Sequence, residues 1–150
     1  MILYRIAKCN YVNDLTGTGA RLYGGRWNSE GHSMVYLASS RALAVLEALV
    51  HLPPLLLPDN FCLAEIEVPD KNIFILDIKS LPDNWAAISP TIELKQIGNQ
   101  FLNEKKYLMM KLPSSVIPEE FNYLLNPFHP DIRKAKILNI YPFNFDDRLL

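Results

Sequence analysis

Apolar and polar residues alternate over residues 2–7, with Ile2, Tyr4 and Ile6 set against Leu3 and Arg5, and this period of two predicts a short strand. The same period returns over residues 61–68 and 73–78. Residues 34–37 form a brief apolar run that reads as a buried strand, and residues 107–112 read as another, ended by Pro113. A last strand is predicted over residues 133–140, with Lys134 and Lys136 facing out and Ala135, Ile137 and Asn139 facing in. Helical spacing marks residues 41–52, with Ser39 or Ser40 placed to cap the start and Pro53 and Pro54 to stop the end. It marks residues 91–106 as well, closed by the polar cluster 103–106. The 11 prolines fall between these elements rather than inside them. Strands and helices mixed without regular βαβ alternation predict an α+β fold, and 150 residues suit a single domain.

Residues 10–33 break the pattern. They show no periodicity and hold five of the six glycines. Long loops that persist inside a compact domain are often functional. Within this one, Gly17 to Asn28 carries Arg21 and Arg26, whose forked guanidinium groups suit phosphate oxygens, among glycines that let backbone approach a ligand closely. The segment lacks the Gly-Lys-Ser/Thr ending of a Walker loop and the strand–helix context of a dinucleotide fingerprint. On the pattern alone, a surface loop with salt-bridging arginines competes with an anion site.

Glu47 is the other oddity. Its helix is apolar on nearly every face, so it should be buried on most sides, and a carboxylate there is costly unless paired or turned to a cleft. Two placements remain open: one solvent-facing stripe shared with His51, or a rigid carboxylate aimed into a pocket. Tyr36 lies on the strand before that helix, where core tyrosines are common. His32, His51 and His129 make no metal set, and His129 sits in a proline-braced turn. Ser114 and Ser115 lack a paired His and Asp, so they read as orienting hydroxyls rather than nucleophiles.

Charge narrows the function classes. With 15 basic and 16 acidic residues the net charge is −1, and no long basic run provides the footprint of a nucleic-acid binder. Cys9 and Cys62 show neither metal-ligand spacing nor a disulfide framework, so reduced thiols in a cytoplasmic setting are expected. The first residues lack a signal-peptide core because Arg5 and Lys8 interrupt it, and no run reaches the roughly 18 apolar residues of a membrane span.

Several separated blocks together resemble the RES domain: residues 20–28 with Arg26-Trp27-Asn28, residues 35–38 with Tyr36, residues 44–51 with Glu47, residues 112–118 with Ser114 and Ser115, and residues 122–130 with Asn126. The family takes its name from an Arg, a Glu and a Ser, and those roles would fall on Arg26, Glu47 and Ser114, with Tyr36 as a further site residue. The neighbouring Ser115 is the alternative serine. The same blocks put Arg21, Trp27, Asn28, Ser115 and Asn126 at the substrate. The resemblance implies a mixed β core like that of ADP-ribosyltransferases, flanked by helices. It implies a toxin of a type II toxin–antitoxin pair that depletes NAD⁺, with NAD⁺ as substrate and no permanently bound cofactor. The expected partner is an antitoxin with an Xre-like helix-turn-helix domain that blocks the pocket, and the complex leaves room for a toxin homodimer. Family members differ in whether water, phosphate or a protein accepts the ADP-ribose.

Overall fold

The computed structural model describes residues 1–53 and 59–149. Its elements run β1 (Ile2–Lys8), α1 (Thr18–Tyr23), β2 (Val35–Ala38), α2 (Arg41–Leu49), β3 (Phe61–Glu67), β4 (Ile73–Ile75), α3 (Ile92–Glu104), β5 (Met109–Pro113), β6 (Phe121–Leu125) and β7 (Lys136–Phe143). Short 3-10 turns occupy Ile78–Ser80, Pro130–Lys134 and Asp147–Leu149. The strands form one mixed sheet in the order β4-β5-β6-β2-β1-β3-β7, antiparallel throughout except for the parallel β4–β5 pair. The fold is α+β, as the mixture of periods predicts.

Side-chain alternation gives the sheet two buried faces. Val35, Leu37, Met109, Tyr123 and Leu125 pack with Leu3 and Ile66 on one. Met34, Met110, Leu112 and Leu124 face the other, where Leu94, Phe101 and Leu102 of α3 cover them together with Trp27 and Trp85. Tyr36 packs against this second face, and Ala38 adjoins Leu43 and Ala44 of α2. So α2 and α3 lie over neighbouring parts of one sheet face.

The two central strands barely meet. β1 pairs with β3 along its whole length, and β2 pairs along its own with β6. Between β1 and β2 the ladder has the single pair Tyr4↔Ala38. The strands therefore part beyond that point.

Several boundaries differ from the sequence expectation. The helix predicted over residues 41–52 ends at Leu49, and Ser40, not Ser39, caps it by accepting from the Leu43 amide at 3.1 Å. Only Leu43 and Ala44 of that helix are buried, so it covers the sheet with one stripe rather than being enclosed. Pro54, expected to stop it, lies outside the described residues. The strand predicted over 73–78 stops at Ile75, because residues 78–80 turn back through a cap in which Asp77 accepts from the Lys79 amide. The last strand starts later and runs further, since Pro130 opens a 3-10 turn that consumes Arg133 and Lys134. Ala135 and Ile137 pack inward, but Asn139 is exposed and donates to Glu65. Pro142 falls inside β7, which is tolerable because that strand is an edge. Neither α1 nor β6 was expected.

The cysteines also require correction. Cys9 and Cys62 are joined in a disulfide, not held apart as thiols. The β1–β3 register sets Ala7 opposite Cys62, and the Cys9 amide donates to the Asn60 carbonyl, so chain pairing alone brings the two together. The expectation of a reducing compartment, which rested on unpaired thiols, loses that support. No helix among the described residues is long and apolar enough to cross a membrane.

Candidate active site

A cavity of about 770 Å³ opens where β1 and β2 diverge, with α2 on one side and α1 and the 85–90 segment on the other. That is within the range usual for small-molecule sites, on the order of 300–1,000 Å³. Its floor is the alternating set Ile6, Tyr36, Leu112, Asn122 and Leu124. The α2 stripe Ala44, Glu47 and Ala48 forms a wall, continued past the helix end by His51, a spacing of three and four residues that stacks them on one face. Alanine at two of those positions keeps the wall low around the carboxylate.

Glu47 is half-buried and fixed by two donors. Ser114 Oγ donates to its Oε1 at 2.7 Å, and Asn122 Nδ2 donates to the same oxygen at 2.6 Å. The Ser114 hydroxyl is itself constrained: its oxygen accepts from the backbone amides of Val116 and Ile117 at 3.0 and 3.1 Å, so its hydrogen is left for Glu47. Glu47 forms no ion pair among the described residues, and its Oε2 has no hydrogen-bond partner among them.

The arginine loop folds back on Tyr36. The phenol donates to Asn28 Oδ1 at 2.6 Å and accepts from the Trp27 amide at 3.1 Å. Asn28, wholly buried, spends its amide nitrogen on the carbonyls of Ala20, Ser29 and His32. Gly25 is required here, because a Cβ at that position would come within 2.6 Å of the Tyr36 oxygen. Burial raises the Tyr36 phenol above its ordinary range, against the lowering influence of the Trp27 amide and the Arg26 charge. The phenol therefore stays neutral and holds the loop to the sheet.

Arg26 lines the cavity and donates through Nη1 to the carbonyls of Trp85 and Ala87, at 3.0 and 2.8 Å. Burial lowers its guanidinium, while Glu47 and Tyr36 pull it back up, so the three groups share one electrostatic environment. Arg5 borders the same cavity, largely buried, and donates to the Asp14 carbonyl. Burial lowers it too, opposed by the Asp14 carboxylate. Lys95 of α3 adds a further positive group at the margin. Cations thus outnumber the single carboxylate around a pocket with an apolar floor.

Arg26, Trp27, Tyr36, Glu47 and Ser115 all reach the cavity wall. Ser114 is fully buried behind Glu47 and orients it, whereas Ser115 is the serine at the wall. Three residues expected at the substrate lie away from the cavity wall. Arg21 is exposed on α1 and does not line the cavity. Asn28 is consumed by the loop and Tyr36, one layer behind the surface it was expected to form. Asn126, wholly buried, donates to the Leu102 carbonyl and accepts from the Phe128 amide, which braces α3 and the 126–129 turn away from the site. Two residues that the sequence reading missed do belong, Asn122 and Arg5. Each is a polar side chain inside an apolar strand, and that interruption was the available signal. Among the described residues no group of His, Cys, Asp and Glu is arranged to hold a metal.

A family model described as the RES domain matches residues 2–146. A protein named Toxin Res from Photorhabdus laumondii is 41% identical over 155 residues, covering 100% of this chain and 97% of that one. A Toxin Res from Yersinia enterocolitica is 40% identical, covering 99% of each chain. A Prs ADP-ribosylating toxin from a Sphingobium species is 39% identical, covering 96% of this chain and 91% of its own. Among solved structures, the M. tuberculosis MbcT–MbcA toxin–antitoxin complex contains a chain of similar fold, with a TM-score of 0.74 at 16% identity over 95% of this chain and 84% of that one.

Proposed function

The chain belongs to the RES domain family, and from that premise we propose that it is a toxin that breaks the nicotinamide–ribose bond of NAD⁺. The observation that carries this reading is one cavity shared by a fixed carboxylate, Glu47, a guanidinium, Arg26, and the buried phenol Tyr36. Cleavage of that bond sends its electron pair out with neutral nicotinamide and leaves positive charge on the ribose, as in glycoside cleavage. The free oxygen of Glu47 stabilises that charge or holds the ribose hydroxyls. Arg26 and Arg5 bind the pyrophosphate through charge-assisted forks. Arg26 makes both carbonyl contacts through Nη1, which leaves Nε and Nη2 to meet the phosphate oxygens while the 85–88 segment stays in place. Tyr36 and Trp27, both at the cavity wall, offer aromatic surface to nicotinamide or its ribose. Water or inorganic phosphate adds to the ribose carbon; with water the products are ADP-ribose, nicotinamide and a proton.

Purified protein incubated with NAD⁺, with and without phosphate, tests the reaction and separates the two acceptors. NAD⁺ left intact in both, by a folded sample, rules it out. Glu47→Gln keeps shape and removes charge, and the expected result is loss of growth arrest and NAD⁺ cleavage without loss of folding. A second reading, ADP-ribose transfer to a protein, is favoured by the name of the Sphingobium relative. Label passing from NAD⁺ onto a protein would select it over simple depletion. The proposed partner is an antitoxin, in keeping with the toxin–antitoxin complex of similar fold. An Xre-like helix-turn-helix protein covering this cavity, and a toxin homodimer in that complex, remain part of the proposal. Co-expression followed by measurement of stoichiometry and NAD⁺ turnover tests both.

A further inference from the structure

Asn122 lies on β6 between the exposed Phe121 and the buried Tyr123, and its side chain reaches the cavity wall. An ionised carboxylate can only accept hydrogen bonds, so the amide must present its nitrogen to Glu47, and this fixes which way the group is turned. The Asn122 Oδ1 is then buried, and it meets no donor among the described residues. An unpaired buried carbonyl costs the fold free energy that an apolar side chain there would not. Stability of the strand gives no reason for an asparagine here, but Glu47 does. Ser114 alone would leave the carboxylate free to pivot about one contact. A second donor from β6, arriving at the same oxygen, fixes its plane and leaves Oε2 as the oxygen without a partner among the described residues.

We propose that Asn122 is a positioning residue that, with Ser114, locks Glu47 Oε1 and commits Oε2 to the substrate. The inference rests on the NAD⁺ reading above, and goes beyond it by dividing the two oxygens between fold and reaction. Asn122→Leu removes the donor and keeps the branching and heavy-atom count of the side chain; because leucine is the bulkier residue, Asn122→Ala guards against a clash. The expected result is a kcat lower by about 10- to 100-fold, as for a slightly misplaced reacting group, with KM changed by less than about threefold. The melting temperature of the leucine variant is expected to stay level or rise. Wild-type kcat in a folded variant overturns the proposal, and so does a fall in kcat that only follows a fall in melting temperature. Growth arrest separates this inference from the reading beneath it. If the wild type arrests growth yet leaves NAD⁺ intact, the NAD⁺ reading alone fails. Full arrest by Asn122→Leu would then overturn the Asn122 proposal, and lost arrest by the folded variant would uphold it.

Discussion

The phenol of Tyr36 joins the sheet to the arginine loop, and each of its hydrogen bonds has a buried partner with no other outlet. Tyr36→Phe would leave the Trp27 amide and the Asn28 side-chain Oδ1 unpaired, and the expected cost is about 1–3 kcal/mol of stability, read from chemical denaturation. Alkali acts on the same group. Because the folded state holds the phenol above its ordinary range, the unfolded chain gives up its proton first. Stability is therefore undiminished below the ordinary phenol range, about pH 10, and falls as the pH rises beyond it. That decline should be weaker in Tyr36→Phe than in the wild type. At this scale Glu47 was legible as an anomaly, since charge on a greasy helix demands an explanation. Asn28 and Asn126 were misplaced because an asparagine two residues after an arginine, or just before a proline, looks the same whether it faces a ligand or braces a turn. Only the partners of its amide decide, and those come from distant segments.

Elements with a sustained period could be read, and those without one could not. β1 and β3 alternate and were found nearly to the residue. α1 carries Gly19 and buries none of its residues, so nothing in its pattern sets it apart from the loop around it. β6 follows a proline and two glutamates, and Asn122 interrupts it, which hides a strand of five residues. The meeting of α3 with the arginine loop is likewise invisible in sequence, although it holds the site together. A Cβ at Gly98 would lie 1.6 Å from the Trp27 carbonyl oxygen, which is backbone and cannot step aside. Gly98→Ala is therefore expected to lower the melting temperature sharply, by the equivalent of about 3 kcal/mol or more. It should also displace Trp27 from the cavity. Gly19→Ala, where a Cβ meets nothing within 4 Å, is the control and should leave stability nearly unchanged.

Across the whole molecule, the disulfide closes a loop of 53 residues and ties the end of β1 to the start of β3. Chain entropy alone assigns such a link about 4 kcal/mol, and observed values centre on about 2–4 kcal/mol. Cys62→Ser should lose roughly that much under oxidising conditions and nothing relative to the wild type once reductant is present, as denaturation curves would report. The link lies in the half of the sheet built from β1, β3 and β7; the other half holds β2, β6, β5 and β4. Between these halves runs a seam with one rung, Tyr4↔Ala38. Backbone amides along an unzipped margin have no ladder to shelter them, so those of β2 that face β1 should trade hydrogen for deuterium sooner than those of β3. A dinucleotide lodged in the gap would act as the missing rungs, slowing that exchange and making the two half-sheets answer to heat as one body. Exchange at the seam that is equally slow with the gap empty or filled would show that the halves are already a single unit.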